Sequence, residues 1–185
     1  MKFPQKVTLT SSELITAATV GVHRNVSSLE KNHDPEKYGK ENRTDWQMDI
    51  EGACYEQALA KCLNVYWPAS VDTFTAVGDV AGMDVRGTEL KNGCLVFRPK
   101  DIEHQERAFW LVTGLAPDYT VHGWIVGSDC QKDEFINAPN NRPPAWFVPQ
   151  DMLKTDDGWK DYMNIAPDEQ TTGGWDDLQL DLEME

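Results

Sequence analysis

Two neighbouring stretches decide the fold: DIEGACYEQALAK at residues 49–61 and GDVAGMDVRGTELK at residues 78–91. Apolar and small side chains recur every three or four residues in the first stretch, which predicts an amphipathic helix over about Met48 to Leu63. The second stretch opens with a glycine-bounded turn and continues as a strand-like run, Met83 to Thr88. The two stretches therefore predict a helix and then a strand, both carrying acidic side chains.

Four charged residues in these stretches form a candidate site. Glu56 shares its helical face with small and apolar residues, so a metal ion or a basic side chain is expected as its partner. Asp79 lies in the turn, and Asp84 and Arg86 are two residues apart on a strand and point to the same face. Three hard oxygen ligands suit Mg²⁺ or Mn²⁺, so Glu56, Asp79 and Asp84 are the candidate metal ligands, with Arg86 as the cation beside a phosphate.

Plainer interpretations of the same residues stay open. Glu56 could lie on a solvated helix face, Asp79 could serve the turn alone, and Asp84 with Arg86 could form a solvated strand face. Glu89 and Lys91 offer a second acidic-x-basic pair. They adjoin Asn92-Gly93, which predicts a hairpin end, and alternation places them on the face opposite Asp84, so the first pair is preferred.

The rest of the chain predicts an α+β domain in which N-terminal helices precede a mostly antiparallel, mixed sheet. Ser11 or Ser12 can cap a first helix, and residues 25–44 read as a long exposed polar loop whose basic residues could contact a DNA backbone. Further strand-like runs occupy residues 73–77, 94–98, 109–113, 120–126 and 145–149.

Charge divides the chain into two parts. The net charge is −14, and residues 155–185 contribute −9 of it with ten acidic side chains and one lysine. We therefore predict a globular domain over residues 1–154 and an acidic flexible tail over residues 155–185. A strongly acidic balance disfavours tight non-specific DNA binding, but the domain itself is only mildly acidic.

The sequence also indicates the cellular compartment of the protein. No apolar run approaches the roughly 18 residues of a membrane span, and the first residues lack the apolar core of a signal peptide. The four cysteines show no CxxC pair, which favours reduced thiols and disfavours a zinc site. These features predict a protein of the cytoplasm, here a bacterial host's, with no membrane partner.

Several motifs resemble the PD-(D/E)XK nuclease-like superfamily, in particular small phage and prophage proteins in that group. The resemblance covers roughly residues 8–154 and rests on Gly52-x-x-x-Glu56 and on Asp79-Val80-x-Gly82-x-x-Val85-Arg86-x-Thr88. Three further motifs lie downstream at residues 92–98, 123–127 and 142–149.

The resemblance implies a restriction-endonuclease-like core and Mg²⁺- or Mn²⁺-dependent hydrolysis of DNA. Glu56 and Asp79 would be metal ligands and Asp84 the ligand of the D/E-x-K element, while Arg86 stands where the family has lysine. Pro99 to Arg107 also leaves little room for the helix that the family carries after its third strand. Both departures bear on catalytic competence. A DNA-hydrolysing nuclease is the first hypothesis, and the alternative is a catalytically silent nuclease-fold protein that works by binding, as an adaptor, a host-takeover factor or a DNA mimic.

The end of the tail carries a second motif. Gln179, Leu180, Leu182 and Met184 resemble the bacterial sliding-clamp binding motif, in which a glutamine and alternating apolar side chains enter a shallow groove. Recruitment to the host replication clamp is therefore predicted. A solubilising tail, or one that docks on its own domain, stays open.

Overall fold

The computed structural model describes residues 2–31, 43–71, 78–139 and 143–163, and these form an α+β fold, as the sequence predicts. The main elements in chain order are β1 Gln5–Thr8, α1 Ser11–Glu30, α2 Asp45–Leu63, β2 Asp84–Thr88, β3 Leu95–Phe97, β4 Ala108–Leu115, β5 Asp118–Val126, α3 Gly127–Cys130, β6 Ile136–Asn137 and β7 Ala145–Val148. Short 3₁₀ helices fill several connections, including Pro99–His104 between β3 and β4.

The strands form two sheets. The larger has the order β1-β5-β4-β2, in which β2 runs parallel to β4 while β1, β5 and β4 are antiparallel neighbours. The smaller is antiparallel, with the order β3-β7-β6. The larger sheet is therefore mixed, in agreement with the predicted fold class.

Strand β4 joins two hydrophobic cores. Trp110 and Val112 point to the core shared with α1 and α2, whereas Phe109 and Leu111 point to the core shared with the smaller sheet. All four side chains are fully buried. Because β4 is covered on both faces, it reads as a continuous apolar run rather than an alternating one.

The two long helices approach each other closely. A Cβ atom added at Gly21 would lie 2.4 Å from Ile50 Cα, so glycine at this point lets the backbones of α1 and α2 come together. Helix α1 is capped by Thr10, whose hydroxyl accepts from the Glu13 amide while the Glu13 carboxylate accepts from the Thr10 amide. The cap therefore falls one residue before the serines that the sequence suggests.

Several local predictions were wrong. The Asn92-Gly93 dipeptide, which predicted a hairpin turn, does not connect two paired strands. Strand β2 pairs with β4 in one sheet, and β3 pairs with β7 in the other. A turn is present, with the Gly93 amide donating to Leu90 O at 2.9 Å, but it directs the chain between sheets. Strand β1 was not predicted, and α1 runs well into the segment expected as a loop. The strand expected at residues 73–77 lies outside the described residues.

The packed domain continues past residue 154, where the sequence places the start of the tail. Trp159 is buried and meets Trp110 edge-on, with ring centroids 5.9 Å apart. The Phe3 amide donates to Thr155 O, and the Trp124 indole donates to Asp156 O. None of the helices in the described part of the chain combines the length and hydrophobicity needed to cross a membrane.

Candidate functional site

Glu56 is buried in the middle of α2, and its partner is an arginine of α1. Arg24 Nη1 and Nη2 donate to Glu56 Oε1 and Oε2 at 2.5 and 2.8 Å, a two-point pairing of guanidinium and carboxylate. The Trp67 indole adds a third donor to Oε2 at 3.0 Å. Arg24 is held in turn by Ser70 O, which accepts from its Nε at 3.0 Å. Of the two partners that the sequence allows for this buried glutamate, a metal ion or a basic side chain, the structure shows a basic side chain.

Asp79 occupies the predicted tight turn before β2. The turn closes through the Asp79 amide, which donates to Met83 O at 2.8 Å, and through the Val80 and Met83 backbones. Asp79 Oδ2 accepts from the Val85 amide at 2.8 Å, so the carboxylate also fixes the start of β2. Asp79 therefore has a structural role that does not depend on a ligand.

Asp84 and Arg86 share one face of β2, as alternation predicts, but each is bound mainly by residues from other elements. Arg107 Nη1 lies 3.5 Å from Asp84 Oδ2, while Arg86 Nη1 lies 3.8 Å from Asp84 Oδ1. The closer contact of Arg86 is with Asp101 of the 3₁₀ helix, at 3.0 Å from Nη2 to Oδ2.

Arg86 is held on several sides. Its Nη1 donates to Val85 O at 3.0 Å, and its guanidinium lies over the Phe109 ring at 5.0 Å from the centroid. Asp101 also accepts from the Arg98 amide at 2.8 Å, which anchors the start of the 3₁₀ helix. Arg86 thus ties β2 to the 3₁₀ helix and to the core beside β4.

The acidic groups of the site influence one another. Burial, together with the negative charge of Asp79, raises the pKa of Glu56 to about 7, although the Arg24 and Trp67 hydrogen bonds oppose the rise. Burial and Asp79 likewise raise the pKa of Asp84 to about 6, against the opposing charges of Arg86 and Arg107. Burial alone would lower the pKa of Arg24, but the Glu56 hydrogen bonds and the charges of Glu56 and Asp79 raise it overall. Asp79 is therefore in electrostatic reach of both neighbouring carboxyl groups.

The carboxylate groups of Glu56, Asp79 and Asp84, as they are arranged in the structure, do not fit a metal ion. Both Glu56 oxygens accept from Arg24, Asp79 Oδ2 accepts from a backbone amide, and Asp84 faces two arginines. Within residues 2–31, 43–71, 78–139 and 143–163, no group of three or more His, Cys, Asp and Glu side chains could hold a metal. Guanidinium groups provide the positive charge that the carboxylates need.

The second acidic-x-basic pair lies apart from these residues. Glu89 is 43% exposed and pairs with Arg43 at 2.7 Å, and Arg43 also binds Glu51. Lys91 follows in the turn that leads to β3, and its carbonyl accepts from Gln150. The preference for Asp84 and Arg86 over this pair as site residues stays a prediction.

Sequence reasoning missed three members of the site. Arg24 lies 32 residues before Glu56, and Arg107 and Asp101 lie well after β2, so only the packing of separate elements brings them in. The sequence offered one indication of Arg24. It is the single arginine among the apolar residues of α1, and an arginine on a buried helix face needs an acidic partner.

The predicted clamp-binding residues Gln179, Leu180, Leu182 and Met184 lie outside the described residues. Comparison of the chain with protein-family models, with curated proteins and with solved structures finds no match to any of them.

Proposed function

We propose that this chain acts by binding, on a nuclease-like α+β domain, rather than by metal-dependent hydrolysis. The observation that carries the proposal is the pairing of both Glu56 carboxylate oxygens with Arg24, inside a side chain that is only 7% exposed. The position that the superfamily resemblance gives to a metal ligand is thereby neutralised from within the fold.

Arg86 supports the same conclusion. In a metal-dependent nuclease, the lysine at this position helps to place or activate a water molecule, and a compact ammonium suits that task better than a guanidinium. Here Arg86 is committed to Asp101, Val85 O and the Phe109 ring. It acts as a structural link between elements.

The partners follow from the sequence. The proposal assigns recruitment to Gln179, Leu180, Leu182 and Met184, through their resemblance to a sliding-clamp binding motif, and it keeps DNA as a further partner of the nuclease-like domain. An acidic tail at the end of a packed domain suits an adaptor that brings one replication component to another.

A cleavage assay tests the catalytic half. Supercoiled plasmid and single-stranded oligonucleotide are incubated with Mg²⁺ or Mn²⁺ and either the unmodified chain, Glu56→Gln or Asp79→Asn. We expect no cleavage above the buffer control. Cleavage by the unmodified chain that both substitutions abolish would contradict the proposal. Cleavage by the unmodified chain that both substitutions leave unchanged would remove Glu56 and Asp79 as the catalytic site and would also contradict action by binding alone.

A pull-down tests the binding half. Immobilised bacterial sliding clamp should retain the full chain but not a chain lacking residues 175–185, nor one with Gln179→Ala and Leu180→Ala. Asp176→Asn with Asp177→Asn is the matched control, because it changes the charge of the tail but not the motif, and it should still bind. Equal retention of all four proteins would remove the clamp from the proposal.

A metal-dependent deoxyribonuclease is the second candidate. It is favoured by the coupling of three carboxyl groups, since Asp79 raises the pKa of both Glu56 and Asp84. Such clustering is common at catalytic sites. The candidate requires Arg24 to leave Glu56, and the cleavage assay with Glu56→Gln decides between the two.

A further inference from the structure

The strap, residues 64–71, follows α2 and contacts the Arg24–Glu56 ion pair at two points. The Trp67 indole donates to Glu56 Oε2 at 3.0 Å, and Ser70 O accepts from Arg24 Nε at 3.0 Å. Trp67 is 8% exposed and belongs to the core shared with the helices. One ion pair thus provides both of these contacts.

The backbone of the strap contributes little to holding it in place. The strap adopts neither helix nor strand conformation. Among the described residues, no backbone–backbone hydrogen bond involves residues 66–69. Segments with few backbone hydrogen bonds open at a lower free energy than the helices and strands beside them. The strap can therefore open while α1 and α2 stay folded.

Ala69 adds strain to the strap. Its φ is 49°, in the left-handed region that alanine rarely occupies because its Cβ crowds the backbone there. Ala69 lies between Trp67 and Ser70, the two residues that contact the ion pair. These contacts hold the backbone in a conformation that it would leave if they broke. Strain that neighbouring contacts maintain in this way is found in ligand clamps and switch regions.

The strap also shields the Glu56 carboxylate. Both carboxylate oxygens accept from Arg24, the Trp67 indole lies against Oε2, and the Glu56 side chain is only 7% exposed. Opening of the strap would withdraw the indole and the Ser70 carbonyl together, because both belong to one short segment. The carboxylate would then meet solvent on the side that Trp67 now covers.

We propose that the strap is a lid, which opens as a unit without unfolding of α1 and α2 and so gives solvent and ligands access to the Glu56 carboxylate. The strained Ala69 favours opening, and the two contacts with the ion pair favour closure. The lid concerns access to Glu56 alone, so it applies whether the domain acts by binding or by hydrolysis.

Hydrogen exchange of the indole N–H groups, followed by NMR, tests the proposal. The Trp67 and Trp110 resonances are assigned by their loss in Trp67→Phe and Trp110→Phe. The Trp110 indole, which donates to Met83 Sδ and is fully buried, is the reference for global unfolding. We expect Trp67 to exchange at least about tenfold faster, at a rate independent of urea below the unfolding transition. Equal rates with the same urea dependence would overturn the proposal.

Two alanine-to-glycine variants separate opening of the strap from global unfolding. Ala69→Gly relieves strain that exists only while the strap is closed, so it should slow the exchange of Trp67 about threefold. Ala81→Gly is the matched control, because Ala81 has the same φ of 49° but lies in the turn before β2. It should slow Trp110 and leave Trp67 unchanged. Slowing of both indoles by Ala81→Gly would mean that Trp67 exchanges only by global unfolding, and the lid would be excluded.

Carboxyl labelling gives a second readout. A carbodiimide with glycine ethyl ester modifies accessible carboxyl groups, and peptide mass spectrometry measures the rate at Glu56. Trp67→Phe removes the indole donor but keeps an aromatic ring, so labelling of Glu56 should be about tenfold faster. Trp46→Phe, at a 42% exposed tryptophan of α2, is the matched control and should leave the rate unchanged. The same rate at Glu56 in all three proteins would show that the strap does not control access, and the proposal would fail.

Discussion

Arg24 and Glu56 form a two-point ion pair that joins the two long helices at the centre of the candidate site. The Nη1–Oε1 and Nη2–Oε2 distances are 2.5 and 2.8 Å, and the side chains are 22% and 7% exposed. Removing one partner of such a pair leaves a charge in a poorly solvated place, which costs more than the pair itself contributes.

Arg24→Gln should therefore lower the free energy of unfolding by about 3–5 kcal/mol, measured by urea denaturation at pH 8, which is above the pKa of about 7 of Glu56, so that its carboxylate is ionised. Replacing both partners by leucine removes the charges together, so Arg24→Leu with Glu56→Leu should cost less than Arg24→Leu alone. Asp129→Asn is the control. It removes an exposed partner of Lys154 and should change the free energy by no more than about 0.5 kcal/mol. Strictly additive effects of the two leucines would mean that the pair is not coupled.

The pH dependence of stability is a separate prediction. Since burial and Asp79 raise the pKa of Glu56 from 4.5 to about 7, the folded state holds a proton that the unfolded state has lost over this range. The stabilising contribution of Glu56 is therefore full below about pH 4.5 and is lost as the pH rises through about 7.

Glu56→Gln should flatten this decline in the melting temperature between about pH 5 and pH 8. Glu103→Gln, at an exposed position of the 3₁₀ helix, should keep the unmodified profile. If Glu56→Gln and the unmodified chain gave parallel profiles, Arg24 would be holding Glu56 charged throughout the range.

The sequence was sufficient for the parts of the site that depend on local pattern. A glutamate among small and apolar helical residues was expected to be buried and paired, with a solvated helix face as the open alternative, and two residues at an interval of two on a strand were expected to share a face. Both expectations follow from helix and strand geometry, and the structure shows Glu56 buried and paired, and Asp84 within 3.8 Å of Arg86.

The parts of the site and of the fold that the sequence did not predict depend on how separate helices and strands pack together. Nothing near Glu56 in the sequence distinguishes a metal ion from Arg24 as its partner, because the choice depends on α1 lying against α2. The Asn92-Gly93 turn likewise has local chemistry suited to a hairpin. The pairing of β3 is set by Leu95 and Phe97, which are fully buried in the core beneath the smaller sheet. Turn residues fix a local reversal but not the sheet that the next strand joins.

Arg86→Lys tests whether Arg86, at the position where the superfamily that the sequence resembles has lysine, has a structural role. A lysine cannot bind Asp101, Val85 O and the face of Phe109 together, so the substitution should lower the free energy of unfolding by about 1–3 kcal/mol. Lys154→Arg, the reverse exchange at a 41% exposed side chain, is the control and should be near neutral. Unchanged stability of Arg86→Lys would show that a point charge is sufficient there.

Gly87 of β2 sits directly against the ring of Tyr55, and this contact positions β2 on α2. A Cβ atom at Gly87 would lie 1.8 Å from Tyr55 Cδ2, and the ring has little freedom because its hydroxyl donates to Gly114 O and its edge meets Tyr119. Gly87→Ala should therefore lower the free energy of unfolding by about 1–3 kcal/mol through overpacking.

Two variants make this last prediction specific. Tyr55→Leu combined with Gly87→Ala should recover part of the loss, since the smaller side chain removes the overlap. Gly52→Ala is the matched glycine control, because a Cβ there meets nothing within 4 Å and lies inside α2, where alanine should stabilise by about 0.5–1 kcal/mol. Urea denaturation of the four proteins measures all three effects. Equal stability of Gly87→Ala and the unmodified chain would mean that β2 can move away from α2, and the geometry of Asp84 and Arg86 would then not be fixed by that helix.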